Sequence, residues 1–147
     1  MSLKDRIQQD VKDAMRAREK QRLATIRLIT AAIKQREVDE RIELDDEQVL
    51  LILDKMCKQR RESISQFEKA GRDDLIAVEV REMEIIQGYL PKQLGDDEIA
   101  ALIDAAMSDT GATSIKDMGK VMGQLKPKLQ GRADMSAVSA MIKARLG

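Results

Sequence analysis

Apolar residues recur every three or four positions along most of the chain, and this spacing predicts helices rather than strands. The first predicted helix starts at Ser2, which forms a capping-box pattern with Asp5, and its apolar stripe begins at Leu3. A second predicted helix runs from about Glu19 to Val38. No segment alternates apolar and polar residues as a half-buried strand would, so the pattern indicates an all-α protein.

Glycine and proline mark where the chain changes from one group of helices to the next. A long third helix is predicted to end at Gly71, and a fourth is followed by YLPKQL, where Pro91 disfavours helical geometry in the residue before it. We therefore place a domain boundary between Pro91 and Gly95. The prediction is an N-terminal helical domain of about four helices over residues 1–94, then a compact C-terminal three-helix bundle over residues 95–147.

The caps of the C-terminal bundle set the predicted limits of its helices. An acid-started helix, DDEIAALIDAAM, comes first. The next helix is predicted from Ile115 to about Lys126, and Pro127 then opens a short turn that ends at Gly131. Asp134 is the predicted N-cap of the last helix.

Composition agrees with a packed helical protein. The 147 residues are 43% hydrophobic and 35% charged, and only Phe67 and Tyr89 are aromatic, so Leu, Ile, Val and nine Met must build the core. No secretory signal peptide is visible, and no apolar run is long enough for a bilayer. The single cysteine, Cys57, permits no internal disulfide. We expect a cytoplasmic protein with no membrane partner.

Few residues are suited to catalysis or metal binding. Histidine is absent, so Cys57 has no imidazole to activate it, and the sequence contains no P-loop, dinucleotide fingerprint or nucleophile elbow. Capping explains the carboxylate pairs Asp73–Asp74 and Asp96–Asp97 at predicted helix starts, although a carboxylate–lysine active site stays open as an alternative. We predict no catalytic residue, no cofactor and no metal site.

Charge is segregated along the chain although the formal net charge is zero. Residues 1–36 carry ten Lys/Arg against four Asp/Glu, and residues 37–54 carry one against eight. Residues 96–110 have five acids and no base, whereas residues 111–147 have seven bases and two acids. Local potential rather than net charge therefore decides what each surface attracts.

The stretch MGKVMGQLKPKLQGRAD, Met118 to Asp134, combines three glycines with four cations and one acid. On a helical wheel started at Ile115, the predicted buried stripe is Ile115, Met118, Met122 and Leu125. Gly119 and Gly123 fall together beside that stripe, with Lys116 and Lys120 just beyond them. Two explanations stay open for the glycines: close approach of a neighbouring helix, or close approach of a phosphate backbone that the lysines attract.

Two of these stretches, YLPKQL and MGKVMGQLKPKLQGRAD, resemble the YqeY family, whose pattern is shared with the tail of the B subunit of the tRNA-dependent glutamine/asparagine amidotransferase. The resemblance spans the chain; Met135 and Ser136 stand where the family often has a glycine. It implies a two-part helical fold and a tail module that contacts tRNA. The RNA-binding residues that the resemblance implies are Gly119, Lys120, Gly123, Lys126, Lys128 and Arg132. The helical wheel adds Lys116 to this set.

The leading hypothesis is a tRNA-binding helical module, accessory to tRNA-dependent amidation or aminoacylation. The expected partners are tRNA and an aminoacyl-tRNA synthetase or amidotransferase subunits, and no DNA. The chain resembles the tail of the B subunit and not its catalytic cradle. Carbon–nitrogen ligase activity with glutamine as amido-N-donor would therefore belong to a partner complex. The alternatives are a non-catalytic protein-docking adaptor with no direct RNA contact, and a catalytic amidotransferase.

Overall fold

The computed structural model of the protein describes residues 1–147 and contains helices and no strands, which confirms the all-α prediction. In chain order the α-helices are α1 (Leu3–Arg16), α2 (Lys20–Glu40), α3 (Asp46–Ala70), α4 (Asp73–Gln87), α5 (Asp96–Thr110), α6 (Met118–Leu129) and α7 (Met135–Leu146). A 3₁₀ turn, Ile115–Asp117, precedes α6. None of these helices combines the length and the apolar character that a bilayer span requires.

The helices group into two compact units, an N-terminal unit Met1–Leu90 and a C-terminal unit Pro91–Gly147. In the N-terminal unit, α3 packs along α4 and α1 packs on α2, around a core that includes Ile7, Ile26, Ile29, Val49, Leu53 and Ile86. In the C-terminal unit, α5 and α7 both pack on α6, around a core that includes Ile103, Val121, Leu125, Leu129, Val138 and Ile142.

Capping contacts fix several helix ends, and those at Ser2 and Gly71 lie where the sequence predicted them. The Ser2 hydroxyl accepts a hydrogen bond from the Asp5 amide at 3.1 Å, and the Asp45 carboxylate accepts one from the Gln48 amide at 2.9 Å. Helix α3 ends at Gly71, whose φ of 67° is the left-handed conformation that glycine adopts without strain. These local contacts explain why the element limits were readable from sequence.

The helix predicted from Ile115 to Lys126 is displaced in the structure. Residues 115–117 form the 3₁₀ turn, and α6 continues through Pro127 to Leu129 instead of ending before the proline. Leu129 is fully buried, which stabilises the last turn by roughly 1.5–3 kcal/mol, comparable with the cost of about 3 kcal/mol for an interior proline. Burial of Leu129 therefore offsets much of the local cost of Pro127, and α6 continues to Leu129.

The buried stripe of α6 also differs from the wheel prediction. Leu125 is fully buried, as predicted, but so are Val121 and Leu129, which the wheel did not place inside. Ile115, placed inside by the wheel, is 46% exposed. The prediction assumed 3.6 residues per turn from Ile115 onward, but residues 115–117 form a 3₁₀ turn with three residues per turn. The predicted buried face of the helix is therefore rotated from the observed one. Met118 and Met122 are partly buried against the same core, as predicted.

The outer halves of α3 and α4 lie outside the core of the N-terminal unit. No residue between positions 58 and 85 is fully buried, and Val78 is 42% exposed although it is apolar. Two paired helices cannot enclose a side chain on every side, so this part of the hairpin leaves its apolar residues half-covered.

Candidate nucleic-acid interface

The two glycines of α6 face open space. Gly119 and Gly123 are exposed, and a Cβ atom added at either position would meet no heavy atom within 4 Å. Of the two explanations for these glycines, the packing explanation requires a helix close to them, and no such neighbour is present. What remains is a strip of bare helix backbone open to a ligand.

Two predicted lysines lie on either side of this strip. At about 100° per residue, Lys126 is about 20° from Gly119 around the axis of α6, and Lys120 is about 60° from Gly123 in the opposite direction. Both lysines are exposed. We define the glycine flank as Gly119, Gly123, Lys120 and Lys126. It presents unshielded backbone between two ammonium groups, which suits an extended anion.

The carbonyl of Gly123 adds an acceptor to the glycine flank. Four residues later in α6 stands Pro127, which has no amide hydrogen to donate to that carbonyl. The carbonyl oxygen of Gly123 therefore lacks the amide partner that residue i+4 normally supplies in a helix.

The structure does not bring every predicted residue to the glycine flank. Lys128 is exposed but lies about 180° from Gly119 around α6, so it faces another direction. Lys116 is exposed in the 3₁₀ turn before α6, outside the helix on which the wheel had placed it.

Arg132 forms hydrogen bonds to other residues of the C-terminal unit. Its Nε donates to the carbonyl of Lys92 at 3.4 Å, and its own carbonyl accepts from the Leu94 amide at 2.9 Å. The neighbouring carbonyl of Gly131 accepts from the Gln93 side chain at 2.8 Å. Residue 132 thus anchors the segment that enters the C-terminal unit, a role that spacing along the sequence did not indicate.

Backbone contacts engage the two acids near the glycine flank. The Asp117 carboxylate accepts from the amides of Thr113 at 3.0 Å and Ser114 at 3.3 Å, and these two bonds lower its pKa, with a smaller contribution from Lys120. Asp134 accepts from the Ser136 amide at 3.1 Å, as expected of an N-cap. Both carboxylates therefore accept local backbone hydrogen bonds in addition to contributing negative charge.

The structure groups no residues for acid–base or metal chemistry on this surface. No group of three or more His, Cys, Asp or Glu is placed to hold a metal ion. Cys57 lies in the N-terminal unit, 1% exposed, and burial raises the pKa of its thiol to about 11. The exposed lysines and bare backbone of α6 are suited to binding an anion.

Comparison with known proteins identifies a family for almost the whole chain. The family model described as Yqey-like protein matches residues 4–146. That match covers both compact units, including the glycine flank and the segment that joins the units.

Several curated relatives, all from fungi, share the name "Altered inheritance of mitochondria protein 41, mitochondrial". The protein of Eremothecium gossypii is 40% identical over 110 residues, which is 73% of this chain and 60% of that protein. The protein of Pyrenophora tritici-repentis is 32% identical over 97% of this chain and 80% of its own length. That of Lachancea thermotolerans is 35% identical over 95% and 76%. The chain thus spans less than two thirds of the first relative and more of the others.

Proposed function

Because this chain belongs to the YqeY family, we propose that it binds tRNA through the glycine flank of α6. The observation that supports this is the open backbone at Gly119 and Gly123 between Lys126 and Lys120. A glycine in an exposed helix interior costs about 1 kcal/mol relative to alanine, and no neighbour in the structure accounts for that cost. Close approach of a phosphate backbone accounts for both the glycines and the lysines.

The proposed recognition is of backbone and shape rather than base sequence. Lysines attract phosphates as point charges, and the carbonyl of Gly123, which has no amide partner at residue 127, could accept from a ribose 2′-hydroxyl, which RNA has and DNA lacks. The chain has two aromatic residues, and one of them, Tyr89, is buried, so stacking on unpaired bases is not its mode of binding. Structured RNA such as tRNA fits these limits.

The proposed role is accessory to tRNA-dependent amidation or aminoacylation. The site offers binding groups only, so the amidotransferase or aminoacyl-tRNA synthetase that performs the chemistry would be a partner. The relatives' names place those proteins in mitochondria, whereas the sequence alone led us to expect a cytoplasmic protein. Both compartments contain tRNA, so the binding proposal holds in either, and cell fractionation decides between them.

The test is titration of purified tRNA with the full chain and with Lys120→Ala and Lys126→Ala over a series of salt concentrations. Each substitution removes one phosphate contact, which near physiological salt corresponds to a roughly three- to fivefold weaker Kd and a salt slope lower by about one unit. Lys69→Ala is the matched control, since Lys69 is also an exposed helical lysine but lies in the last turn of α3.

The same titrations distinguish the proposal from a protein-docking adaptor. Duplex DNA of equal length should bind more weakly than tRNA if the 2′-hydroxyl and A-form shape contribute. If Lys120→Ala and Lys126→Ala bind tRNA as the parent does, RNA binding by the glycine flank is abandoned and the adaptor hypothesis takes its place.

A further inference from the structure

A second cationic surface lies at the turn between α1 and α2, where the sequence reads RAREKQR from Arg16 to Arg22. Residues 18–22 of this turn, with Arg81 and Ile85 of α4, line a cleft of about 400 Å³. We define these residues as the turn cleft. The resemblance that led to the glycine flank implied no residue here, so the excess of bases in this stretch has no assigned role.

Most of the positive charge in the turn cleft is not neutralised. No ion pair joins Arg18 or Lys20 to a carboxylate, and Arg81 donates to the neutral side chain of Gln21. Of the cations in the turn cleft, only Arg22 forms ion pairs, at 4.0 Å from Asp10 and 3.9 Å from Glu19. Four cations therefore share a cleft whose single acidic side chain is Glu19.

Asp10 does not line the turn cleft, and the cation of the cleft that it neighbours is Arg22. Its carboxylate accepts a hydrogen bond at 2.5 Å from the buried Tyr89 hydroxyl and also lies beside Arg22. The first turn of α2 carries no acidic side chain either. The potential at the turn cleft is thus set by Arg18, Lys20 and Arg81.

Arg18 occupies a backbone position that favours glycine. Its φ of 58° is left-handed, and the amides of Arg18 and Glu19 close the end of α1 by donating to the carbonyls of Met15 at 3.2 Å and Ala14 at 3.0 Å. This is the Schellman pattern, in which glycine is the usual residue. An arginine at this position bears backbone strain and makes no ion pair, so its folded-state contacts do not explain it.

We infer that the turn cleft is a second surface for RNA phosphates, carried by the N-terminal unit. The inference rests on the proposed function for its ligand, tRNA, but on separate residues for its site. Arginines donate in a planar fork that matches phosphate oxygens, and the cleft offers Arg18 and Arg81 together with Lys20. Ile85 is the one apolar side chain that lines it, so the cleft suits a polyanion better than an apolar peptide.

Arg18→Gly is the variant that separates binding from folding. It removes one charge at a position whose backbone already has glycine geometry, so the fold has no new conformation to adopt. We expect a roughly three- to fivefold weaker Kd for tRNA near physiological salt and a salt slope lower by about one unit. Lys20→Glu should weaken binding further, because it adds repulsion, while supplying the acid that the first turn of α2 lacks.

Arg41→Gly is the matched control. Arg41 also has a left-handed φ, of 55°, and is exposed at the end of α2, but it lies in the acidic segment 37–54. The two glycine variants have the same change in charge and the same relief of strain, so their melting temperatures should shift alike. Only Arg18→Gly should weaken tRNA binding.

The outcomes separate this inference from the proposed function. If Arg18→Gly and Lys20→Glu bind tRNA as the parent does, while Lys120→Ala and Lys126→Ala bind weakly, the turn cleft is not an RNA surface and the glycine flank stands. The reverse pattern supports the turn cleft and overturns the glycine flank. If Arg41→Gly weakens binding as much as Arg18→Gly, the effect is one of net charge, and the turn cleft is overturned.

Discussion

Cys57 is enclosed in the core of the N-terminal unit, with 1% of its surface exposed. Burial is the main cause of its raised pKa of about 11, which Arg61 and Arg60 partly oppose and Asp54 reinforces. At pH 7 the thiolate fraction is then on the order of one in ten thousand, and the thiolate is the reactive form. The residue therefore belongs to the core rather than to a redox or nucleophilic site.

We predict that iodoacetamide labels Cys57 in the folded chain at least about 100-fold more slowly than in the urea-unfolded chain at pH 7, because an unperturbed thiol has a pKa of about 8.5. Mass spectrometry measures the rate without ambiguity, since the chain has no other cysteine. The rate in the folded chain should rise about tenfold per pH unit up to pH 10. Equal rates in the folded and unfolded chains would contradict the burial of this side chain.

Helix α6 shows how far sequence reasoning extends at the scale of one element. Its existence, its methionine contacts and the shared side of Gly119 and Gly123 were predictable from spacing. Its start, its continuation through Pro127 and the full burial of Val121 and Leu129 were not, because a 3₁₀ turn precedes the helix and packing extends it to Leu129. Tertiary packing acts on the ends of an element more strongly than on its middle.

We predict opposite effects on stability from alanine at two glycines of the C-terminal unit. Neither Gly123 nor Gly111 has a heavy atom within 4 Å of an added Cβ, but Gly123 is helical, whereas Gly111 has a φ of 66°. Gly123→Ala should raise the free energy of unfolding by up to about 1 kcal/mol, and Gly111→Ala should lower it by about 1–2 kcal/mol. Urea titrations followed by circular dichroism measure both.

The same Gly123→Ala variant tests the glycine flank by a route that does not involve charge. Its added methyl group stands between the backbone of α6 and a phosphate, so tRNA binding should weaken while the salt slope stays unchanged. A variant that is more stable and yet binds tRNA less tightly is the expected result. A destabilised Gly123→Ala would show that a helix does pack on this residue, as the packing explanation requires.

At the scale of the whole molecule, the helices were more predictable from the sequence than the spatial arrangement of the site residues. Apolar spacing and caps were enough to predict an all-α chain, since each depends on neighbours a few positions away. The anchoring of Arg132 depends on contacts across the C-terminal unit, which no local pattern carries. The direction of Lys128 follows from the continuation of α6 through Pro127, where the sequence predicted a turn. The half-exposure of Val78 likewise depends on how few helices surround the outer part of α4.

The division into two compact units has a proteolytic consequence at Lys92. The segment from Pro91 to Gly95 is not helical, and Lys92 is exposed within it, whereas every other lysine of the chain lies in an α-helix or in the 3₁₀ turn. Proteases need an extended backbone, so a lysine-specific endoproteinase should cut first between Lys92 and Gln93. The carbonyl of Lys92 accepts from Arg132 Nε at 3.4 Å, so Arg132→Ala should speed this cut.

Mass spectrometry of early digestion products identifies the first cut. We expect fragments of residues 1–92 and 93–147 to appear first. Lys126→Ala is the control, because it also removes one cation from the C-terminal unit but makes no contact with the Lys92 carbonyl, and it should leave the rate unchanged. An equal rate in Arg132→Ala and the parent would mean that the Arg132 side chain does not hold this segment in solution. The first cut falling within α3 or α6 would mean that those helices open more readily than the segment between the units.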